Sequence, residues 1–111
     1  MTNGLKIIEK DEHLVTSSIE VAEIIEKRHA DLLRSIGKYE DILLNSNLSS
    51  VDFFIKGDYL DVTGRIIPCY FLTRKGCDMI TNKMTGEKGV LFTATYVERF
   101  YEMENQLKQE L

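Results

Sequence analysis

Apolar residues recur with a helical period over two adjoining segments in the first half of the chain. The first helix is expected to begin at Ser17, because Ser17 and Glu20 have the S-x-x-E spacing of a capping box. Its apolar stripe consists of Val21, Ala22 and Ile25, with Ile24 beside it. A second helix is predicted over residues 30–44, bending at Gly37, with the stripe Leu32, Leu33, Ile36, Tyr39 and Leu43.

Two other segments have the composition of β-strands. Residues 5–9, LKIIE, form a short strand-like run that Leu14-Val15 either continues or pairs with. In residues 53–72, aromatic and β-branched residues lie on both sides of the turn-forming sequence DVTG at 61–64, which predicts a β-hairpin. Pro68 has no N–H to donate, so its strand is expected to lie at an edge or to be interrupted there.

Two further helices are predicted after the hairpin. Thr73 is a suitable N-cap for a helix that runs to about Lys83, which Thr85-Gly86 then closes. A long helix follows from about Glu87 to the C-terminus, with the apolar stripe Phe92, Tyr96, Phe100, Met103 and Leu107. This order of elements predicts an α+β domain resembling a winged helix-turn-helix, with a long C-terminal helix.

Length and composition are those of an ordinary globular protein. The 111 residues suit one domain spanning 1–111, and 43% hydrophobic with 29% charged residues argues against disorder. No apolar run approaches the length of a membrane span and no signal-peptide pattern opens the chain, so a cytoplasmic location is expected. Cys69 and Cys77 have neither CxxC spacing nor a neighbouring His, and we interpret them as reduced core thiols.

The chain offers little that would support catalysis. It has no nucleophile–His–acid set with suggestive spacing, and its two histidines are too isolated to predict a zinc site. The sequence TGEK at 85–88 lacks the preceding glycines of a phosphate-binding loop. We therefore expect no enzyme activity, cofactor, metal or small-molecule substrate.

Positive charge is concentrated at the junction of the first two predicted helices. Residues 27–38 carry four basic residues and one acidic residue, a local charge of +3 in a chain whose net charge is −4. The helical period places Arg34 and Lys38 one turn apart on the exposed face of the second helix. A basic patch on an acidic protein favours a polyanionic partner, with nucleic acid as the first candidate.

Residue patterns alone leave two interpretations of this patch open. In the first, the helix entrance contacts phosphates and the helix face reaches a groove, through Lys27, Arg28, His29, Arg34 and Lys38. In the second, the patch is a solvated helix face on which Asp31 pairs with Arg34.

The predicted hairpin and the last helix carry similar alternatives. Lys56 and Arg65 could grip phosphate as a wing, although Asp58 and Asp61 lie close by, or Arg65 could only stabilise the turn. The end of the last helix, residues 101–111, is expected to extend past the core and to pair with a second copy. Such a homodimer would double a small DNA-contact surface.

Several ordered motifs resemble those of the Rha family of phage regulatory proteins. The segment 59–76, YLDVTGR…PCYFLTRKG, is similar to the family's Y-x-D-x-x-G-R-x-x-P-x-Y-x-L-T-[RK]-[DK]-G signature. MTGEKG at 84–89 resembles its F-T-G-K-K-A turn, and YVERF at 96–100 resembles Y-I-E-A-F. Upstream, KRH followed by LRSI, within 27–36, is similar to K-R-H-x-x-V-L-R-x-I. The resemblance covers about residues 14–104.

The resemblance implies a regulator encoded by a phage or prophage, and it favours double-stranded DNA as the partner. The site implied for that partner consists of Lys27, Arg28, His29, Arg34, Lys38 and Arg65. The alternative is an antirepressor-like module that sequesters another regulator, motivated by the acidic net charge and the apolar last helix. Glu87 and Thr93 stand where the family commonly has Lys, which weakens a phosphate contact near the start of that helix.

Overall fold

Four α-helices pack with a curled, antiparallel four-stranded sheet in the computed structural model, which describes residues 5–110. The strands are β1 (Ile8–Lys10), β2 (His13–Ser17), β3 (Phe54–Leu60) and β4 (Ile66–Leu72). The helices are α1 (Ser18–Ile25), α2 (His29–Asn45), α3 (Arg74–Asn82) and α4 (Gly86–Glu110), with a 3₁₀ turn at Ser50–Asp52. The α+β class and the order of the predicted elements are confirmed. Residues 1–4 and 111 of the predicted domain lie outside the described residues.

The sheet has the order β1-β2-β4-β3. Leu14 and Val15 pair with β1 rather than continuing it, across a tight turn in which Asp11 and Glu12 both have positive φ. The predicted hairpin is β3–β4, in register from Phe54↔Leu72 to Leu60↔Ile66. On its other side, strand β2 pairs with β4 only at the end of β4, at Leu72 and Phe71. Pro68 therefore lies where one side of β4 has no partner strand in the described sheet, as its missing N–H predicted.

Only half of the predicted capping box forms at the start of α1. The Ser17 side chain accepts the N–H of Ile19 at 3.1 Å, but Glu20 does not return a hydrogen bond to Ser17. Its Oε1 accepts the backbone N–H of Lys6 at 2.6 Å instead. Arg99 of α4 donates to the carbonyl of Leu5 at 2.8 Å. The predicted hydrogen bond from Glu20 back to the helix start is therefore wrong. Glu20 and Arg99 instead hold the backbone of residues 5–6, which the strand predicted at 5–9 did not anticipate.

The main core lies between the helices and one face of the sheet. The predicted stripes of α1 and α2 are buried at Val21, Ala22, Ile25, Leu32, Ile36 and Leu43, and α2 runs through Gly37 without interruption. The stripe of α4 is buried at Phe92, Tyr96 and Phe100 but emerges beyond them, with Leu107 exposed. Both cysteines are buried and unbonded, and burial raises the pKa of each thiol, in agreement with their prediction as core residues.

Candidate nucleic-acid interface

Three residues, Glu26, Lys27 and Arg28, connect α1 to α2. Glu26 has left-handed backbone angles, and the chain closes α1 with hydrogen bonds from Glu26 N–H to Glu23 O and from Lys27 N–H to Ala22 O. This pair of hydrogen bonds is a Schellman motif, in which the left-handed residue Glu26 ends the helix. The turn is therefore tight, and it leaves the side chains of Lys27 and Arg28 exposed.

Asp31 binds two arginine side chains on the exposed side of α2. Arg28 donates through Nε and Nη2 to the Asp31 carboxylate at 3.0 and 3.3 Å, and Arg34 donates through Nη1 at 2.8 Å. These hydrogen bonds lower the pKa of Asp31 to about 2. Both guanidinium groups stay largely exposed, at 80% for Arg28 and 65% for Arg34. The predicted Asp31–Arg34 pair is thus present within a three-membered cluster of net charge +1.

The two lysines of the patch border this cluster. Lys27 Nζ donates to Ser35 Oγ at 3.2 Å, which holds its ammonium beside α2. Lys38 lies one turn beyond Arg34, is exposed, and forms no ion pair with any residue between 5 and 110. Of the predicted site, Lys27, Arg28, Arg34 and Lys38 are therefore brought together along one side of the α1–α2 unit.

His29 occupies an internal position at the start of α2. Its Nε2 lies 2.8 Å from Ser18 Oγ, which also accepts the N–H of Tyr70 at 3.0 Å. Its ring packs edge-on against Tyr59, with 6.3 Å between centroids. One ring nitrogen is thus used to join α2 to α1 and to the hairpin. No sequence pattern predicts this link, because Ser18 and His29 are eleven residues apart and belong to no known motif.

We expect His29 to make folding stability sensitive to mild acid. Burial lowers the pKa of His29. The unfolded chain therefore takes up a proton first, and the stability contributed by neutral His29 is complete above about pH 6.5 and is lost as pH falls below it. Urea unfolding at about pH 7.5 and pH 5.5 should show a smaller loss for His29→Gln than for the parent protein.

The carboxylates do not obscure this comparison, because the parent and the variant share them: burial raises the pKa of Glu20, whereas hydrogen bonds lower the pKa values of Asp31 and Asp61. An NMR titration of the His29 ring checks the direction of its pKa shift independently of folding. Equal losses of stability in both proteins, together with a pKa at or above the ordinary value, would contradict the internal role of His29.

Arg65 lies at the tip of the β3–β4 hairpin, apart from the α2 cations. Its Nε is 3.6 Å from Asp61 Oδ2, and its backbone N–H donates to Asp61 Oδ1 at 2.9 Å. The same oxygen accepts the N–H and the hydroxyl of Thr63, and these hydrogen bonds lower the pKa of Asp61. Arg65 therefore makes the contacts expected of a turn-stabilising residue, while its side chain remains exposed. Lys56, the other predicted wing cation, lies with its Nζ 3.9 Å from Glu40 Oε1 of α2.

No group of His, Cys, Asp and Glu side chains within residues 5–110 is arranged to hold a metal ion. Among the helices described above, none is both long and apolar enough to cross a membrane.

Comparison with known proteins places this site in context. A family model described as phage regulatory protein Rha matches residues 16–105. The "SPbeta prophage-derived putative antirepressor protein YoqD" of Bacillus subtilis is 57% identical over 108 residues, which are 97% of this chain and 43% of the relative. An uncharacterised protein of Haemophilus influenzae is 28% identical over 113 residues, which are 96% of this chain and 60% of that relative. The chain thus spans about half the length of these relatives, and no solved structure matches it.

Proposed function

Because the chain belongs to the family of the phage regulatory protein Rha, we propose that it is a phage-encoded transcriptional regulator that binds double-stranded DNA through α2. The family resemblance read from the sequence is confirmed, and the family is a regulatory rather than an enzymatic one. The observation that carries the proposal is the row of exposed cations Lys27, Arg28, Arg34 and Lys38 beside a three-residue turn. Such a protein would act in the cytoplasm of the bacterial host.

The α1–α2 unit supplies the parts of a helix-turn-helix in this proposal. Two helices joined by three residues fall within the range of that motif, and its second helix enters the major groove. Arg34 and Lys38 would then approach base edges, where an arginine guanidinium suits guanine. Lys27 and Arg28 would contact the phosphate backbone at the helix entrance. Asp31 would pair with Arg28 and Arg34 in the absence of DNA, and its carboxylate would partly offset their attraction for phosphate.

The hairpin and the end of α4 complete the proposed mode of binding. The β3–β4 hairpin would act as a wing, with the exposed Arg65 at its tip contacting phosphate. A homodimer through the end of α4, where Leu107 is exposed, would present two copies of α2 to a two-fold symmetric site. His29 supports α2 from within this arrangement, and we assign it no contact with DNA through Nε2.

The salt dependence of DNA affinity tests the phosphate contacts. Each phosphate contact contributes roughly −0.9 to the slope of log affinity against log salt for duplex DNA. Replacing Lys27 and Arg28 together by alanine should flatten that slope by about one to two units, and by the same amount for different sequences. Fluorescence anisotropy with labelled duplexes over a salt series measures it.

Arg74→Ala with Lys75→Ala is the matched control, because it removes the same charge from two exposed residues at the start of α3. This control should retain the parent slope to within a few tenths of a unit. If both double variants flatten the slope equally, the effect is one of overall charge, and the assignment of Lys27 and Arg28 fails.

A second candidate function is favoured by the Bacillus subtilis relative, whose name describes an antirepressor. In that function the chain would bind another regulator rather than DNA. The net charge of −4 is consistent with a protein partner, and so is the pairing of both patch arginines, Arg28 and Arg34, with Asp31. Selection of bound fragments from genomic DNA, followed by sequencing, separates the two candidates. Enrichment of a discrete site supports DNA binding, whereas recovery of no DNA at low salt supports the antirepressor.

A further inference from the structure

Helix α4 carries a second apolar stripe beside its core-facing side. Val90, Ala94, Val97 and Tyr101 follow one another at intervals of four, three and four residues, which is the spacing of a helix-pairing seam. Val90 is 68% exposed and Tyr101 is 58% exposed. The stripe extends from Val90 to Tyr101, about 16 Å along the helix axis. Val97 is half-buried against the core of its own domain, whereas Val90, Ala94 and Tyr101 are exposed, so most of this stripe is not needed to attach α4 to that domain.

A groove runs beside this stripe. It is open to solvent, has a volume of about 720 Å³, and is lined by residues of the end of α3, of the α3–α4 connection and of α4, including Met84, Thr85, Gly89 and Thr93. Val90, Ala94 and Val97 form the wall that it shares with the stripe. Small residues dominate the lining, which allows the backbone of a second helix to approach closely.

Acidic residues border the stripe on its other side. Glu87, Glu98 and Glu102 project one after another along α4, with the exposed Leu91 between them. Only Glu102 is paired within residues 5–110, with Arg99 at 2.7 Å. The nearby cation Lys88 is directed away, to Glu26 of α1 at 2.8 Å. We call the stripe, the groove and this acidic ridge together the α4 surface.

We propose that the α4 surface binds a basic amphipathic helix of a partner protein. A helix is indicated because the seam spacing and the adjacent groove suit the i, i+3, i+4, i+7 anchors of an amphipathic helix. Basic flanking residues are indicated because the ridge presents Glu87 and Glu98 without an intramolecular partner in the described chain. Charge of this sign also excludes nucleic acid as the occupant of this surface.

A second copy of α4 fits the surface less well. In an antiparallel pair of α4 helices the same flanks meet, so the ridge would face its own copy and like charges would repel. In a parallel pair the ridge would face the uncharged flank that contains Thr93. Neither arrangement supplies the cations that the ridge lacks.

This inference deepens the second candidate function and is independent of DNA binding by α2. DNA-binding repressors commonly present basic helices to DNA. A protein that covers such a helix with an apolar and acidic surface competes directly with DNA for it. The chemistry of the α4 surface therefore specifies the part of a regulator that this chain would sequester.

A designed pair of helical peptides tests the proposal on the full chain. Both peptides carry leucines at i, i+3, i+4 and i+7; one has Lys and Arg flanks and the other has Glu flanks. The basic peptide should bind, and backbone amide shifts should be confined to residues 84–102. The acidic peptide should bind at least about tenfold more weakly.

Three variants locate the binding. Ala94→Arg blocks the seam and should weaken the basic peptide at least about tenfold. Glu87→Lys with Glu98→Lys should weaken it about three- to tenfold, while Glu9→Lys, on the exposed side of β1, should leave it unchanged. Equal binding of both peptides, shifts centred on α2, or self-association that Ala94→Arg abolishes would each overturn the proposal. DNA affinity of Ala94→Arg should equal that of the parent, so failure here and failure of DNA binding are distinguishable.

Discussion

Replacing Gly76 by alanine is expected to destabilise the fold strongly. Gly76 lies in the first turn of α3, and a β-carbon built on it would overlap the carbonyl oxygen of Phe53. That carbonyl accepts the N–H of Thr73 at 3.1 Å, and Thr73 Oγ1 donates to the carbonyl of Asp52 at 2.6 Å. The obstacle is backbone held by hydrogen bonds, so the overlap can be relieved only by moving α3 away from the residues that anchor it.

The expected cost is about 3 kcal/mol or more, because displacement of α3 loses packing as well as these hydrogen bonds. Small domains have total stabilities of about 5–15 kcal/mol, so a loss of this size is readily measured by urea unfolding. Thermal unfolding followed by circular dichroism gives the same comparison where the variant is soluble.

Gly37→Ala is the matched control. Gly37 lies in the interior of α2, and a β-carbon there meets no atom within 4 Å. This substitution should stabilise the protein by about 0.5–1 kcal/mol, because alanine loses less backbone entropy in a helix. If both substitutions stabilise the protein, the close approach of α3 to Phe53 does not exist in solution.

Gly76 also shows whether the family motif reflects the fold or the partner. It is the last residue of the 68–76 segment on which the resemblance partly rests, and Thr73 in the same segment caps α3 by accepting the N–H of Gly76 at 3.2 Å. These two motif positions seat a helix on the start of the hairpin. They therefore identify the family through its fold, and they carry no information about the partner.

Local signals in the sequence were sufficient for most elements of the fold. Thr73 starts α3, the DVTG turn closes the hairpin, and the stripe from Phe92 to Phe100 faces the core. Contacts between distant residues could not be read in this way. Glu20 has the spacing of a capping residue but accepts the backbone N–H of Lys6, because the fold brings a segment fourteen residues away beside it.

The candidate site was predictable to a similar extent. Helical periodicity correctly placed Arg34 and Lys38 on the exposed side of α2. Arg28 and Arg34 each lie three residues from Asp31, but Arg28 is the N-cap of α2 and lies outside the helix predicted at 30–44, so only the Arg34 pair was predicted. The α4 surface went unnoticed because α4 has two apolar stripes, and the one that forms the core accounts for the helix by itself.

Substitutions at Arg34 and Asp31 are expected to change DNA affinity in opposite directions. Arg34→Ala removes the side chain that we propose reaches base edges, and it should cost about 1–3 kcal/mol, or roughly 5- to 150-fold, at the preferred site. Asp31→Asn removes the acidic group between two arginines. It should raise affinity for any duplex severalfold and steepen the salt slope by up to about one unit. Anisotropy titrations of specific and unrelated duplexes measure both effects.

Asp41→Asn serves as the control for Asp31→Asn, because it removes an equal charge from an exposed residue farther along α2. It should raise affinity less, since Asp31 contacts both Arg28 and Arg34 at hydrogen-bond distance and Asp41 pairs with no cation among residues 5–110. Discrimination between duplexes is the more demanding readout. Arg34→Ala should lower it, whereas a purely electrostatic surface would lose affinity equally for every sequence. If Arg34→Ala binds all duplexes as the parent does, α2 is not the DNA-reading helix, and the antirepressor function becomes the better account of the chain.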